Sequence, residues 1–481
     1  MNAPRGISRR GVLRTLLSGA GVALFGVGLP PRAGHAATDT EITELTAWVA
    51  IHPDDRVVIR IPQTELGQGV TTSLAQVLAE ELDLAWGDFD TEYYDAQTNL
   101  QRHNVYVHTA TLASWAADKL FEPMRIAGAQ VKQMLCAAAA AEWKVAIDEV
   151  EIAGRALRHA ASGRVAGFGQ LAGAAAALPV PAADTLSLKP AEHWRLIGKP
   201  LPRVDTRAKT TGEAIFGIDV ALPGMKYAAV RQSPFFGGRL KSFDAGAVLK
   251  RAGVREVVAI RGGPSGYNVP PTLWDVIDWQ MDDAVAVVAD SWWQAQQALE
   301  ALPIDWEPGP HGKANSADID AALGAALDAG GQTMREEGNI EAAFATTETH
   351  VVAEYRYPYM EHAPLEPMNC TALVTASNVE AWAPTQYADE ALRIAAYAAG
   401  VALKDAKFHL TLAGGGFGRR LSNDFVSQAV QVAKAMPGTP VKLIASREEC
   451  MRRGYYAPVA RARIRAALGA DGLPIAWHSQ V

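Results

Sequence analysis

A bare glycine run between a strand pattern and a helix pattern constrains this chain most. It reads Leu412-Ala413-Gly414-Gly415-Gly416-Phe417-Gly418-Arg419-Arg420. Upstream, Lys407 to Leu412 alternates apolar and polar residues, the period of a strand with one buried face. The glycines let the backbone take left-handed angles and approach a ligand without Cβ interference. Ser422, Asn423 and Asp424 then stand as caps for a helix predicted over 425–435. Strand, bare loop, two guanidiniums and helix start together suit a phosphate-bearing cofactor. The bland alternative is a tight turn with a solvated basic end. A nicotinamide fingerprint is excluded by spacing: with glycines at 414 and 416 the third must fall at 419, which is arginine.

A second unit of the same kind lies near the N-terminus. Two short strands, 48–51 and 56–61, are joined by Pro53-Asp54-Asp55, and Pro62-Gln63-Thr64-Glu65-Leu66-Gly67-Gln68-Gly69-Val70-Thr71-Thr72-Ser73 follows. Leu74, Val77, Leu78 and Leu82 share one face of the next helix. Thr71, Thr72 or Ser73 can cap it, with the amides beside Gly67 and Gly69 turned toward an anion. Residues 110–143 read as an alanine-rich packing helix with Met124, Ile126, Val131, Met134 and Leu135 as core. Residues 174–184 and 308–338 read as linkers, and the runs 257–260 and 284–289 with helix 291–302 frame a small mixed domain.

At 481 residues the chain holds roughly three domains. The expected boundaries at the N-terminal end are 1–36 (targeting segment) and 37–178 (N-terminal segment with the Gly-Gln-Gly loop). Residues 1–36 contain Arg5, Arg9, Arg10, Arg14 and Arg32 and no acidic residue. Ser8-Arg9-Arg10-Gly11-Val12-Leu13, a weakly apolar stretch and Gly34-His35-Ala36 read as a twin-arginine signal peptide, so a periplasmic location is expected. Its apolar run falls short of the roughly 18–20 residues a membrane anchor needs. Without those five arginines the net charge goes from −7 to −12, which argues against a nucleic-acid partner. Cys136, Cys370 and Cys450 are too few and too scattered for zinc, an iron–sulfur cluster or a disulfide framework. His362 beside Glu361 and Glu366 suggests a metal site or an acid–base pair. No third ligand stands at usable spacing, so a structural His–carboxylate contact is the favoured reading.

Six segments together resemble the molybdenum-binding large subunit of the xanthine oxidase family of molybdenum hydroxylases. They are Glu65-Leu66-Gly67-Gln68-Gly69-Val70-Thr71, Pro202-Arg203-Val204-Asp205, Lys209-Thr210-Thr211-Gly212, Leu365-Glu366-Pro367-Met368-Asn369, Pro384-Thr385-Gln386 and Gly414 to Arg420. The early Gly-Gln-Gly unit is how the exported branch looks, which includes the β subunits of isoquinoline 1-oxidoreductases and the membrane-associated aldehyde dehydrogenases.

The resemblance implies a multi-domain α+β fold with an α/β hammerhead domain at about 205–310 and a first molybdopterin-binding domain at 340–481. It implies molybdopterin cytosine dinucleotide as cofactor, held by Gly67, Gln68, Gly69, Thr71, Gln386, Gly415, Gly416, Phe417, Gly418 and Arg419. Gln386 would bond an oxygen ligand of molybdenum, and the protein would give the metal no direct ligand. The implied reaction is hydroxylation of aldehydes or N-heterocyclic aromatics with water as oxygen source. Electrons would leave through [2Fe–2S] clusters on a small partner subunit toward a c-type cytochrome, and peripheral membrane association is compatible with this. Leu421 stands where xanthine oxidase carries a purine-contacting glutamate, so purine is not the expected substrate. The family's catalytic glutamate, in a Gly-x-Gly-Glu motif, is absent from this sequence, and residues 471–481 read as a turn and the middle of a strand. The expectation is a chain lacking the second molybdenum-binding portion and inactive in isolation. The alternative is a truncated relic or binding module.

Overall fold

The computed structural model describes residues 42–264 and 280–481; the stretch 1–36, read above as a targeting segment, lies outside them. Two pairs of parallel strands position everything else. Val57–Ile61 pairs in parallel with Phe89–Tyr93 across the helix Val70–Glu81. Val379–Ala383 pairs in parallel with Ala406–Leu410 across Ala388–Ala399. Parallel neighbours require such a crossover, and loops leaving the carboxyl ends of parallel strands are where open sheets take ligands.

The first pair belongs to a four-stranded sheet with Thr43–Thr46 and Val49–Ile51. Helix Val70–Glu81 packs on the long helix Trp115–Trp143, and Gly128 makes the approach possible. A Cβ there would stand 2.6 Å from the Leu78 carbonyl oxygen. That long helix starts later than the sequence pattern predicts, because residues 110–114 are held in a loop by bonds to a distant segment.

The second pair belongs to a seven-stranded sheet ordered Val254–Ile260, Ala284–Ala289, Lys226–Gln232, Val441–Ile444, Asn369–Val374, Val379–Ala383, Ala406–Leu410. The stretch read as a hammerhead supplies three of these strands. It is not sealed off by a sheet boundary, since Lys226–Gln232 pairs in parallel with Val441–Ile444. Ala284–Ala289 is buried on both faces. Ala284, Ala286 and Val288 enter the main core, while Val285, Val287 and Ala289 join Val248, Val254 and Val257 near Ala295, Ala298 and Leu299 of helix Trp292–Glu300. Glu41–Val481 forms one compact unit of mixed α and β structure.

The linker reading of 308–338 is corrected. Helix Ser316–Ala329 lies inside it, started by Asn315, whose side chain accepts from the Asp318 amide at 3.0 Å. Its alanines supply helix propensity that the Gly/Ala composition disguised. Helices Ser316–Ala329 and Ile340–Phe344 pack on a three-stranded sheet of His350–Tyr357, Ala460–Leu468 and Pro474–Gln480. Phe344, Ala467 and Ala476 form the core there. In the alternate register Val351, Tyr355, Tyr357 and Trp477 are exposed. Among the described residues no helix is long and apolar enough to cross a membrane.

Candidate functional site

The carboxyl-end loops of the two parallel pairs meet. Thr64 Oγ1, in the loop after Val57–Ile61, donates to the Thr385 carbonyl at 2.8 Å. The Ala413 amide donates to the Glu65 carbonyl at 3.3 Å. A third segment, after Phe89–Tyr93, closes the junction, with the Thr64 amide donating to Thr111 Oγ1 at 2.9 Å.

Gln386 is the centre, 3% exposed. Its Nε2 donates to the Thr111 carbonyl at 2.7 Å, and the Thr111 amide returns a 2.8 Å bond to the Gln386 carbonyl. Its Oε1 accepts from the Gly418 amide at 3.0 Å. A carboxamide has two N–H donors, so one remains for a ligand. Gly416 is glycine by necessity, since a Cβ there would lie 2.6 Å from Gln386 Oε1 and 3.2 Å from Leu66 Cδ1. Gln386, named only through the family resemblance, is therefore brought together with Gly416 and Gly418. Among the described residues the amides of Gly415, Gly416 and Phe417 donate to no protein acceptor. Successive unspent amides with φ of +93° at Gly415 and +57° at Phe417 form a concavity suited to oxygen acceptors.

Strain marks the same place. Ten non-glycine residues among those described have positive φ, and seven of them fall in three segments reaching this junction: His103, Asn104, Val107, Ala113, Ser114, Ala363 and Phe417. For β-branched Val107 and aromatic Phe417 this conformation is a genuine outlier. Both side chains are more than 70% exposed, so burial does not offset the cost. Unrewarded strain of this kind concentrates at functional sites.

The Gly-Gln-Gly loop is built differently from the expectation. The N-cap of helix Val70–Glu81 is Gly69, which has no side chain to offer, and Thr71, Thr72 and Ser73 fall inside the helix. Glu65 does the capping: Oε1 accepts from the Gly67 and Gly69 amides at 2.9 and 3.0 Å, and Oε2 from the Thr71 amide at 3.2 Å. The anion facing these amides is thus the chain's own carboxylate. Arg203 bonds Glu65 Oε1 at 3.0 Å and the Gly67 carbonyl at 2.8 Å, and pairs with Asp205. Gln68 spends its carboxamide on the Thr64 carbonyl and the Leu66 amide. Gly67 and Gln68 remain exposed on the loop.

Arg419, expected on the cofactor, points inward. It is 2% exposed and closes on Asp424 through two 2.8 Å bonds. Arg420 is fully buried, donating to the carbonyls of Gly415, Pro384 and Glu366, and burial lowers its pKa to about 10. Both guanidiniums shape the loop from beneath and have no face left for phosphate. Glu366 belongs to this support, accepting from the amides of Gly414 and Ile218 and from Asn369 Nδ2. It is not paired with His362, whose Nδ1 lies 4.0 Å from Glu361. Among the described residues no group of three or more His, Cys, Asp or Glu is placed to hold a metal ion.

The loop from His103 to Ser114 escaped sequence reasoning. Its one signal was polar Asn104, Thr109 and Thr111 interrupting the approach to a helix. Burial, with Lys119 adding to it, holds the His108 imidazole below its usual range, and Nε2 has no partner.

A molybdopterin cofactor fits these residues, with unspent amides at 415–417, a spare Gln386 N–H and a turn kept open by glycine. The fold and junction define a molybdopterin-binding chain, and comparison with known proteins agrees. The molybdopterin cofactor-binding domain family matches residues 327–481 and, through a second domain of the same description, residues 6–221. The chain belongs to the molybdenum-binding subunits of the xanthine oxidase family. It is 29% identical to the beta chain of isoquinoline 1-oxidoreductase of Brevundimonas diminuta over 96% of this chain and 62% of that protein. It is 30% identical to a membrane-bound aldehyde dehydrogenase (pyrroloquinoline-quinone) of Gluconacetobacter polyoxogenes, over 97% of this chain and 59% of that one. A nicotinate dehydrogenase subunit of Pseudomonas putida is 28% identical over 97% of this chain and 38% of that protein. The chain thus spans about three-fifths of the length of the first two relatives.

Proposed function

We propose that this chain is the molybdenum-cofactor-binding part of an exported oxidoreductase that hydroxylates aldehydes or N-heterocyclic aromatics with water as oxygen source. The cofactor is read as the cytosine dinucleotide form, the partner as a small [2Fe–2S] subunit, and the location as periplasmic by the twin-arginine route. The carrying observation is the Gln386 junction, where three loops, a spare carboxamide N–H and three unspent amides converge.

When bound, the cofactor supplies the oxygen-transfer and electron-accepting chemistry. The chain's own residues bind and orient it. Gln386 directs its free N–H at an acceptor oxygen, and its two fixed bonds prevent the carboxamide from turning away. The amides of Gly415, Gly416 and Phe417 take further oxygens. The exposed Phe417 ring gives a planar apolar surface that excludes water and suits an aromatic or aldehyde substrate. Leu421, half-buried at the end of the turn, adds no charge to that wall, which disfavours a purine.

The test is metal and nucleotide analysis of the protein purified with its iron–sulfur partner. Molybdenum and CMP released by acid hydrolysis, near one equivalent each and lost in Gln386→Leu, are expected. A folded complex free of molybdenum would overturn the reading and leave the binding-module alternative.

A further inference from the structure

Glu361 is a buried carboxyl beside the glycine turn that takes no part in the Gln386 junction. It follows Met360, whose carbonyl accepts from the Ala457 amide at 2.9 Å, and its side chain is 2% exposed. Neither carboxyl oxygen receives a hydrogen bond. The nearest cation, Arg419, is committed to Asp424 and leaves its Nε 3.9 Å from Glu361 Oε1. Gly454 runs close over this group: a Cβ there would lie 1.5 Å from Glu361 Oε2 where the carboxyl now stands.

The next residue, His362, is half-buried. Its Nδ1 has no partner and lies 4.0 Å from Glu361 Oε2. Its Nε2 lies on the other side, 3.5 Å from the position a Cβ on Gly418 would take. The histidine therefore bridges a buried acid and the turn that carries the unspent amides.

An ionised carboxylate this deep requires donors, and none stands at hydrogen-bond geometry. Burial pushes the Glu361 carboxyl above the usual carboxylate range, against the pull of Arg419 and of the nearby His362 and Ala363 amides. Burial, reinforced by Arg419, lowers the His362 imidazole. The other titratable groups acting here are Asp424 from helix Asp424–Lys434, Cys450 from helix Arg447–Arg452, and Tyr456. None is a cation that would ionise the acid.

We propose that Glu361 keeps its proton and donates it as a hydrogen bond to His362 Nδ1, fixing the Nε2–H tautomer, so that His362 presents an N–H to an acceptor oxygen of a ligand on the Gly415–Gly418 turn. The hydrogen bond requires the carboxyl to turn so that the 4.0 Å separation shortens to about 2.8 Å. With Nδ1 occupied as an acceptor, the ring proton resides on Nε2, the nitrogen facing Gly418. No proton is transferred; the arrangement is a fixed donor chain from acid to imidazole to ligand. Glu361 is thus a positioning residue and His362 the contact. The acceptor oxygen belongs to either cofactor or substrate, and its identity alone rests on the proposed molybdenum-cofactor function.

The tautomer is measured without any ligand, by long-range 1H–15N correlation spectra of the full chain labelled with 15N-histidine and produced without molybdenum. The His362 signal is assigned by its loss in His362→Gln. Wild type is expected to show an unprotonated Nδ1 and a protonated Nε2, unchanged from pH 6 to 8. Glu361→Gln should retain that pattern, because a carboxamide N–H donates as a carboxylic acid does, while Glu361→Leu should lose it. An Nδ1–H or doubly protonated ring in wild type at pH 7 overturns the proposal, as does Glu361→Gln behaving like Glu361→Leu. The wild-type spectrum decides even where a variant does not fold. In the complex with partner, His362→Leu assigns the acceptor. At least tenfold lower molybdenum content points to the cofactor, and at least tenfold higher KM at full content points to the substrate. No change in either overturns the ligand contact while leaving the cofactor reading intact.

Discussion

At the scale of single residues, shape and strain separate binding from stability. Gly416→Ala places a methyl 2.6 Å from an oxygen that cannot swing away, because Gln386 is held by both Thr111 and Gly418. Overpacking of this kind costs about 1–3 kcal/mol. A drop of that size in urea-denaturation stability, with loss of molybdenum from the complex, is expected. Phe417→Gly should separate the two effects. It relieves a left-handed aromatic residue but adds freedom to the unfolded chain, and terms of about 1 kcal/mol oppose each other. Stability should therefore change by less than about 1 kcal/mol while cofactor occupancy or KM worsens; a large loss of stability would show that the ring is packed rather than presented. The turn of Gly416 and Gly418 was legible because glycine chemistry is local, whereas Gln386 was reached only through the family resemblance. The sequence misled at Arg419 and at the Gly67 and Gly69 amides, because a guanidinium or an amide shows its chemistry but not its partner. Asp424, five residues on, and Glu65, two residues back, took those partners first.

Among the elements, the short strand Val441–Ile444 joins the two halves of the seven-stranded sheet and carries a buried lysine. Lys442 is 3% exposed and donates to the Ile218 carbonyl. Burial lowers its pKa to about 8, against the attraction of Asp219 and Glu366. The unfolded chain, with its lysine near 10.4, binds more protons than the folded one between those values. Stability contributed by this group therefore rises with pH from about 8 to about 10.4 and is lost as pH falls through about 8. Lys442→Met keeps the length, removes the buried charge and should flatten that rise in thermal midpoint against pH; an unchanged slope would show that another group causes it. Of the strands in this sheet, Ala406–Leu410 was readable from alternation and Val254–Ile260 and Ala284–Ala289 from their apolar runs, as was the turn at Asp471-Gly472 before Pro474–Gln480 elsewhere, but Val441–Ile444 itself was not read as a strand. The continuous sheet was not readable, because pairing between Lys226–Gln232 and Val441–Ile444 spans more than 200 residues and leaves no local signal.

For the molecule as a whole, the question is whether the two crossover units act as one. They lie in different sheets, yet the side-chain bond from Thr64 to the Thr385 carbonyl ties loop to loop across 321 positions of sequence. Thr385 Oγ1 in turn lies 2.7 Å from Asn423 Oδ1 and 3.0 Å from the Arg420 carbonyl, sharing its one proton at the foot of the glycine turn. Thr64→Val keeps volume and β-branching but removes the donor. An unsatisfied buried carbonyl costs about 1–3 kcal/mol. If the junction is one mechanical unit, that cost appears far from the substitution. Hydrogen exchange should quicken in 64–71, in 108–111 and in 414–420 together, while amides in the core strands Ala284–Ala289 and Asn369–Val374 keep their protection. Exchange confined to 64–71 would mean that each loop is held by its own sheet, and the cofactor, rather than the chain, would then be what joins them.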